Sequence, residues 1–327
     1  MCTVRAFVRA VAIVSVVAIA AATVLAEETQ PAETLVTKAT HLVEEEAASG
    51  EFSGVVVVAR DGMVVFEKAV GLARREAGVP NTISTSFNIG SITKVFTRVI
   101  ITQLAAEGRL SFDDTVARHL PDYPDPEIAG KVTIQQLLDM SSGLGDFFGA
   151  RYDATPKDEI VELADYLQLF AGQPLEFAPG SSRQYSNAGY IVLGLIIEKV
   201  TGKPYSEVVA ARVFEPAGMT GSGLFARSDL PPEAAYGYTR DGWMEAMESW
   251  MAGKEAGAPL GGEWRLNLDS LPGRGSSAGG SYSTAHDLLA FDRAVEAGKL
   301  GDATFFRSNG GMGFAGGAPG INAALES

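Results

Sequence analysis

The sequence predicts an α/β protein of the α+β type: an antiparallel sheet from both chain ends, flanked by helices, with an inserted, mainly helical lobe. A β-branched run and a hairpin turn signal occur near the start, at 55–70. Helical periodicity and loops then dominate, and a glycine-rich run with a short apolar piece ends the chain. We therefore expect the sheet at about 34–90 and 300–327, and the helical lobe at about 91–299.

The first residues of the chain have the pattern of an export signal. Arg5 and Arg9 precede an apolar run from Ala10 to Val24, and residues suited to a cleavage site end at Ala26. This pattern predicts a signal peptide that is cleaved after Ala26 and leaves one domain at 27–327. The protein would then be exported, either periplasmic or secreted. An uncleaved segment that anchors the chain in a membrane is the alternative.

The composition excludes several classes of function. The chain has 327 residues, of which 46% are hydrophobic, and this supports a substantial core. A formal net charge of −14 without a basic cluster opposes binding to nucleic acid or anionic lipid. Cys2, the one cysteine, would be removed with the signal peptide. None of the histidines, His41, His119 and His286, has a second potential ligand at the spacing of a metal site. We therefore expect no metal, no cofactor and no disulfide.

The N-terminal part of the domain predicts a helix followed by a β-hairpin. Apolar residues recur at helical spacing from Thr34 to Ser49. Val55 to Ala59 is a β-branched run, Asp61-Gly62 is a hairpin turn signal, and Met63 to Val70 is the expected return strand.

The stretch around Ser91 is the first that indicates chemistry. Ser91 follows Gly90 and begins an apolar stripe at helical spacing, so Ser91 and Lys94 lie on one helix face about a turn apart. A lysine in a partly desolvated site loses preference for its charged form and helps accept a serine proton. The pattern alone is equally compatible with a capping serine and a solvated lysine. Two facts favour chemistry: no other lysine has a serine three residues before it, and the helix is apolar on most sides.

Further helices are expected between this stretch and the C-terminal end. Residues 221–275 have weak periodicity and predict a long excursion over the surface. The expected helical segments are a short one within Leu110 to Leu120, then Thr133 to Met140, Asp158 to Leu169, Ala188 to Val200, Tyr205 to Glu215 and Ala285 to Ala297.

A second stretch pairs Tyr185 with Asn187 in a turn-rich loop. A phenol accepts a proton only if its pKa falls well below about 10, which a nearby ammonium such as Lys94 would promote. The amide of Asn187 is suited to orient both the lysine and a substrate carbonyl. For either residue alone, the simpler interpretation is a buried loop tyrosine and a helix-capping asparagine.

Together, Ser91-x-x-Lys94 and Tyr185-x-Asn187 resemble the serine β-lactamase and penicillin-binding-protein superfamily. The likeness is greatest to the class C β-lactamase-related branch, which includes D-amino-acid peptidases and carboxylesterases, and it runs from about residue 35 to the end. Supporting stretches occur in the family's order: Phe87 to Ser91, Leu110 to Asp114, Leu137 to Leu144, Pro179-Gly180, Ala278 to Gly280 and Tyr282 to Thr284.

The resemblance implies a β-lactamase/transpeptidase-like fold: a five-stranded antiparallel sheet flanked by helices, with the active site between sheet and helical lobe. Ser91 would be the acylated nucleophile, Lys94 and Tyr185 would move its proton, and Asn187 would bind the substrate amide. The implied activity is a serine hydrolase acting on a β-lactam, a D-alanyl or peptidoglycan-like peptide, or a small ester or amide. The non-catalytic alternative is a protein of this fold that only binds or senses a ligand.

The family's third motif, a Lys or His followed by any residue and Gly, has an altered counterpart here. The matching residues are Phe314-Ala315-Gly316, and the backbone N–H groups of Gly317 and Ser91 would form the oxyanion hole. A phenyl ring donates no charge-assisted hydrogen bond to a carboxylate. We therefore expect Phe314 and Gly316 to line the substrate site, with weak recognition of β-lactams and less effect on neutral esters.

Two other features of the sequence bear on this interpretation. The resemblance implies one more strand and a helix after residue 327, so we expect the final strand and helix to be missing. Gly275-Ser276-Ser277-Ala278-Gly279 matches the Gly-x-Ser-x-Gly nucleophile pattern of another hydrolase fold. No strand precedes that motif and no acid lies between Ser277 and His286, so we interpret it as a glycine-rich loop.

Overall fold

The computed structural model describes residues 32–50, 52–60, 62–241, 261–302, 313–318 and 320–326. The predicted signal peptide lies outside these residues. The helices are α1 (Ala32–Ser49), α2 (Thr93–Ala106), α3 (Val116–His119), α4 (Pro126–Lys131), α5 (Ile134–Leu138), α6 (Ala150–Ala154), α7 (Leu163–Phe170), α8 (Asn187–Thr201), α9 (Tyr205–Val209), α10 (Glu215–Ala217) and α11 (Ala285–Glu296). The strands are β1 (Gly54–Arg60), β2 (Met63–Val70), β3 (Leu72–Arg74), β4 (Val79–Pro80), β5 (Phe87–Asn88), β6 (Tyr238–Asp241), β7 (Gly261–Leu266), β8 (Tyr282–Ser283), β9 (Gly313–Ala318) and β10 (Ile321–Glu326).

The helical part is built around α2, which is buried along most of its length. Phe96, Ile100 and Leu104 have no exposed surface, so this helix forms the centre of the main hydrophobic core. Phe96 packs edge-on against two further rings, with centroid distances of 5.3 Å to Phe214 and 5.1 Å to Phe291. These contacts hold the residues that follow Ser91 in a rigid setting.

The first residue of a helix is set by local capping hydrogen bonds, so sequence periodicity locates it only approximately. The Thr133 hydroxyl and the Gln136 side chain form a capping box at the start of α5, as the sequence suggests. The helix expected from Asp158 begins only at Leu163, because the side chains of Glu162 and Asp165 form a capping box there. No helix in the described part of the chain is long and apolar enough to cross a membrane.

The strands pair as antiparallel ladders, as the sequence predicts, but not as one five-stranded sheet. The described strands form five two-stranded ladders: β1 with β2, β3 with β4, β5 with β8, β6 with β7, and β9 with β10. Within the described residues, the hairpins from the two chain ends are therefore not hydrogen-bonded to each other. Alternation of side chains reveals a strand but not its partner, and the β6–β7 ladder lies in the segment expected to be a surface excursion.

Two hairpins have different neighbours in the fold. The N-terminal hairpin packs against α1 through a small separate cluster of Ala39, Val43 and Phe66. The C-terminal hairpin, β9 and β10, packs instead against β5 and the 3-10 turn Gly90–Ile92, which precedes α2. The second contact brings a strand directly beside Ser91.

Candidate active site

Ser91 lies in a tight turn whose backbone is fixed from both sides. Gly90 has a positive φ of 51°, which glycine adopts at no steric cost, and its N–H donates to Asn88 Oδ1 at 2.9 Å. The Thr93 hydroxyl donates to the Gly90 carbonyl at 2.9 Å. The turn leaves Ser91 half-buried, with its Oγ 2.6 Å from the Tyr185 hydroxyl and 3.1 Å from Lys94 Nζ.

Lys94 is buried and hydrogen-bonded on several sides. The residue is 5% exposed, and its Nζ donates to Ser91 Oγ, to Asn187 Oδ1 at 2.6 Å and to the Ala278 carbonyl. Burial lowers the pKa of Lys94 to about 7, and the negative charge of Asp146 acts against this fall. At neutral pH a substantial fraction of Lys94 is therefore uncharged and able to accept a proton.

Tyr185 is close to the serine, but its acidity differs from the sequence-based expectation. Half of its side chain is exposed (51%), its hydroxyl is hydrogen-bonded to Ser91 Oγ, and Lys94 Nζ lies 4.9 Å from its ring centroid. Burial of the hydroxyl raises the pKa of Tyr185 to about 12, and the nearby Asp146 charge raises it further, while the Ser91 hydrogen bond acts in the opposite direction. The expected lowering by Lys94 is wrong, because desolvation dominates at both groups.

Asn187 is oriented by a carboxylate that the sequence did not single out. Asp146 Oδ2 accepts hydrogen bonds from Asn187 Nδ2 at 2.8 Å and from the Asn187 backbone N–H at 3.2 Å. This fixes the amide so that its oxygen faces Lys94. Ser186, not Asn187, caps α8 by accepting from the Gly189 N–H, so the asparagine amide is available to the site. Asp146 has no pattern of its own in the sequence; its one signal is its position two residues after Leu144.

The Gly-x-Ser-x-Gly motif supports Lys94 rather than providing a second nucleophile. Ser277 is fully buried, and its hydroxyl donates to the Tyr190 carbonyl at 2.8 Å. Its own carbonyl accepts from the Thr97 hydroxyl at 2.7 Å. The carbonyl of the next residue, Ala278, accepts a hydrogen bond from Lys94 Nζ. The interpretation of this motif as a structural loop agrees with these contacts.

Strand β9 passes very close to the Ser91 turn. A Cβ added to Gly316 would lie 2.0 Å from the Ile89 carbonyl and 2.9 Å from the Ser91 nitrogen. A Cβ added to Gly90 would lie 3.0 Å from the Gly317 nitrogen. Glycine is therefore required on both sides of this contact, and the backbone nitrogens of Ser91 and Gly317 lie in the same small region.

Phe314 shares the Gly316 face of β9, because side chains two residues apart on a strand point the same way. It is half-buried and packs against the edge of the main core. The structure therefore places Phe314 to Gly316, the segment matched to the third motif, beside the Ser91 turn. In the described ranges, no group of three or more His, Cys, Asp or Glu side chains is arranged to hold a metal ion.

Comparison with known proteins identifies the family of this chain. The family model described as Beta-lactamase matches residues 39–323. The chain belongs to the beta-lactamase family. Its placement in the class C-related branch stays a prediction.

Several members of the beta-lactamase family are similar to this chain. Esterase EstB of Burkholderia gladioli is 36% identical over 74% of this chain and 64% of its own length. The putative penicillin-binding protein PbpX of Bacillus subtilis is 31% identical over 76% of this chain and 56% of its own length. The crystal structure of a penicillin binding protein from Bacillus halodurans is 30% identical with a TM-score of 0.73, covering 88% of this chain and 90% of that one. The chain thus spans less than two thirds of the length of EstB and of PbpX.

Proposed function

We propose that this protein is a serine hydrolase that forms an acyl-enzyme at Ser91. The observation that carries the proposal is the buried Lys94, whose pKa of about 7 and 3.1 Å distance to Ser91 Oγ suit it to accept the serine proton. The names of the relatives, an esterase and penicillin-binding proteins, support the same class of chemistry.

The geometry suggests a division of labour between the two proton carriers. Neutral Lys94 takes the Ser91 proton as Oγ bonds to the substrate carbonyl carbon, and the carbonyl electron pair moves onto the oxygen. The backbone N–H groups of Ser91 and Gly317 stabilise that oxyanion. Tyr185, protonated because its pKa is about 12, donates its proton to the leaving group as the bond to carbon breaks. The Lys94 ammonium then restores the Tyr185 proton, and water releases the acyl group.

The substrate class follows from the ring in the third motif. Phe314 offers an apolar surface and no positive charge where the family has a Lys or His, so a substrate carboxylate gains no ion pair from this position. We therefore propose a neutral ester or amide as the preferred substrate, ahead of β-lactams or D-alanyl peptides. We also propose that the protein is exported, on the basis of the predicted signal peptide.

Covalent labelling tests the acyl-enzyme directly. We expect intact-mass spectrometry to show one fluorophosphonate adduct on the wild-type protein and none on Ser91→Ala. We further expect faster turnover of p-nitrophenyl acetate than of nitrocefin. A folded protein that gives no adduct with either fluorophosphonate or penicillin would refute the hydrolase proposal and favour a ligand-binding role.

A further inference from the structure

Thr97 makes an unusual hydrogen bond for a threonine inside a helix. Such a hydroxyl commonly donates to the carbonyl four residues before it, as Thr102 does to Arg98 at 3.0 Å. For Thr97 that carbonyl, of Thr93, is 3.5 Å away, whereas the Ser277 carbonyl is only 2.7 Å away. Thr97 therefore directs its hydroxyl out of α2 and onto a loop 180 residues later in the chain.

The phenol of Tyr205 fixes the direction of this hydrogen bond. Its oxygen lies 2.7 Å from Thr97 Oγ1, and both side chains are buried. Burial raises the pKa of Tyr205 above its ordinary value, so the phenol keeps its proton. A hydroxyl has one proton to give and a carbonyl only accepts, so Thr97 donates to Ser277 and accepts from Tyr205. Two successive hydrogen bonds thus connect α9, through α2, to the loop 276–281.

The same loop is attached to α2 on the other side of Lys94. The Ser281 N–H donates to the Thr93 hydroxyl at 3.1 Å. Thr93 and Thr97 are about one turn apart on α2, and Lys94 lies between them in the chain. The loop is therefore held at two points, and between them it presents the Ala278 carbonyl that accepts from Lys94 Nζ.

Several charged or titratable groups surround Lys94. The Asp146 charge acts on it from the segment before α6, and the rings of Tyr185 and Tyr190 have centroids 4.9 Å and 5.6 Å from its Nζ. Arg98, on α2 itself, is paired with a carboxylate at 3.5 Å. A threonine hydroxyl carries no charge, so its removal leaves all of these charges in place. A change in Lys94 titration on that removal would therefore arise from the position of a hydrogen-bond partner.

We propose that Thr97 is a positioning residue of the candidate active site: its hydroxyl holds the Ser277–Ala278 peptide so that the Ala278 carbonyl stays against Lys94. A carbonyl that accepts from an amine stabilises the charged form of that amine. The held carbonyl thus limits how far burial lowers the pKa of Lys94. The inference rests on the proposed role of Lys94 as the base for Ser91, and it adds the groups that adjust the strength of that base.

Carbon-13 NMR of protein labelled at lysine Cε measures the Lys94 pKa without any reaction, and Lys94→Arg identifies the resonance. We expect Thr97→Val to lower this pKa by roughly 0.5–1 pH unit, because valine keeps the shape of threonine but weakens the hold on the Ala278 carbonyl. Thr97→Ser keeps the hydroxyl and should titrate as the wild-type protein does. Thr102→Val, the matched control, removes a hydroxyl that bonds within α2 and should leave the pKa unchanged. If Thr97→Val does not fold, Tyr205→Phe takes its place and should shift the pKa in the same direction.

An unchanged or raised Lys94 pKa in the folded test variant would overturn the proposal, and so would an equal fall in Thr97→Ser. Fluorophosphonate labelling of Ser91, run in parallel, separates this result from a failure of the hydrolase proposal. A wild-type protein without an adduct would refute acylation, whereas the NMR titration would still decide the role of Thr97. Where labelling occurs, its rate should rise with pH through a midpoint that is lower in Thr97→Val than in the wild-type protein.

Discussion

Burial of a single amine determines the pH dependence of the candidate site. With a pKa of about 7 for Lys94, a rise in pH from 5 to 9 converts the lysine from a charged donor to a neutral proton acceptor. We therefore expect kcat/KM for p-nitrophenyl acetate to rise with pH through a midpoint near 7. Lys94→Arg should remove this limb and lower kcat/KM by about 10²–10⁴-fold, because arginine keeps its proton. A profile without a midpoint between pH 6 and 8 would contradict the role of Lys94.

Substitution of Asp146 offers a second test of the Lys94 pKa, because the direction of the expected shift is known. Its negative charge raises the pKa of Lys94, so the neutral variant Asp146→Asn should shift the rising limb to lower pH. The pH–rate profile is the measurement, because a change in folding alone would lower the plateau without moving the midpoint. Asp153→Asn, an exposed carboxylate in α6, is the matched control and should leave the midpoint in place. A shift to higher pH in Asp146→Asn would contradict the electrostatic account.

The substrate preference that we propose for the site depends on Phe314. Phe314→Lys would place an ammonium at the position where the family has a cation, and a charge-assisted hydrogen bond contributes roughly 1.5–3 kcal/mol. We therefore expect the ratio of kcat/KM for nitrocefin to that for p-nitrophenyl acetate to rise by about 10- to 100-fold. Phe314→Leu retains an apolar side chain and should leave the ratio near its wild-type value. An unchanged ratio in Phe314→Lys would disprove the role assigned to the ring.

The sequence allowed the reactive side chains to be predicted, but not their surroundings. Ser91 and Lys94 are one helical turn apart, so local geometry is enough to bring them together. Tyr185 and Asn187 formed a second candidate stretch, and the resemblance then implied that they share one site with Ser91, although they are distant in the chain. Two groups that contact or influence Lys94 were not predicted: Asp146 has no pattern of its own, and Ala278 was named only within a supporting stretch, with no role for its carbonyl. The predicted lowering of the Tyr185 pKa was wrong for a related reason. Desolvation depends on three-dimensional packing, which sequence periodicity does not describe.

At the scale of elements, the contact between β9 and the Ser91 turn determines the shape of the oxyanion region. A methyl group at Gly316 would overlap the Ile89 carbonyl at 2.0 Å, so Gly316→Ala must move the strand or the turn. We expect at least a 100-fold fall in the rate of fluorophosphonate labelling of Ser91. Gly313→Ala on the same strand is the matched control, because an added Cβ there meets nothing within 4 Å. Equal labelling rates for the two variants would show that β9 does not shape the site.

Local elements were predicted better than their partners. The hairpin of β1 and β2 has both signals in one short stretch, a β-branched run and an Asp-Gly turn, and the structure confirms it. The pairing of Phe87 with Ser283 joins residues far apart in the chain, and no local pattern specifies such a ladder. The β6–β7 ladder was missed because the surrounding sequence is rich in glycine and proline and has weak periodicity. Strand pairing is therefore a property of tertiary packing that the sequence shows only through resemblance.

On the scale of the whole molecule, the burial of Lys94 is also a source of instability. A fall in the Lys94 pKa from 10.5 to about 7 means that the charged form destabilises the fold by roughly 5 kcal/mol below pH 7. Below pH 7 Lys94 is protonated in both the unfolded chain and the folded protein. In the folded protein its charge lies in a desolvated site, which costs free energy. Between pH 7 and 10.5 the unfolded chain binds more protons than the folded one, so stability rises with pH.

Lys94→Met tests this link between catalysis and stability. Methionine fits the volume of the lysine stem and carries no charge, so the variant should be more stable than the wild-type protein at pH 6. The gain should shrink as pH rises from 7 to 10.5, because removing the Lys94 proton costs less free energy as the pH approaches 10.5. Chemical denaturation of both proteins at pH 6 and pH 10 measures the difference. Lys199→Met, in the last turn of α8, controls for loss of a lysine elsewhere. A gain that is equal at the two pH values would mean that Lys94 is not desolvated in the folded protein.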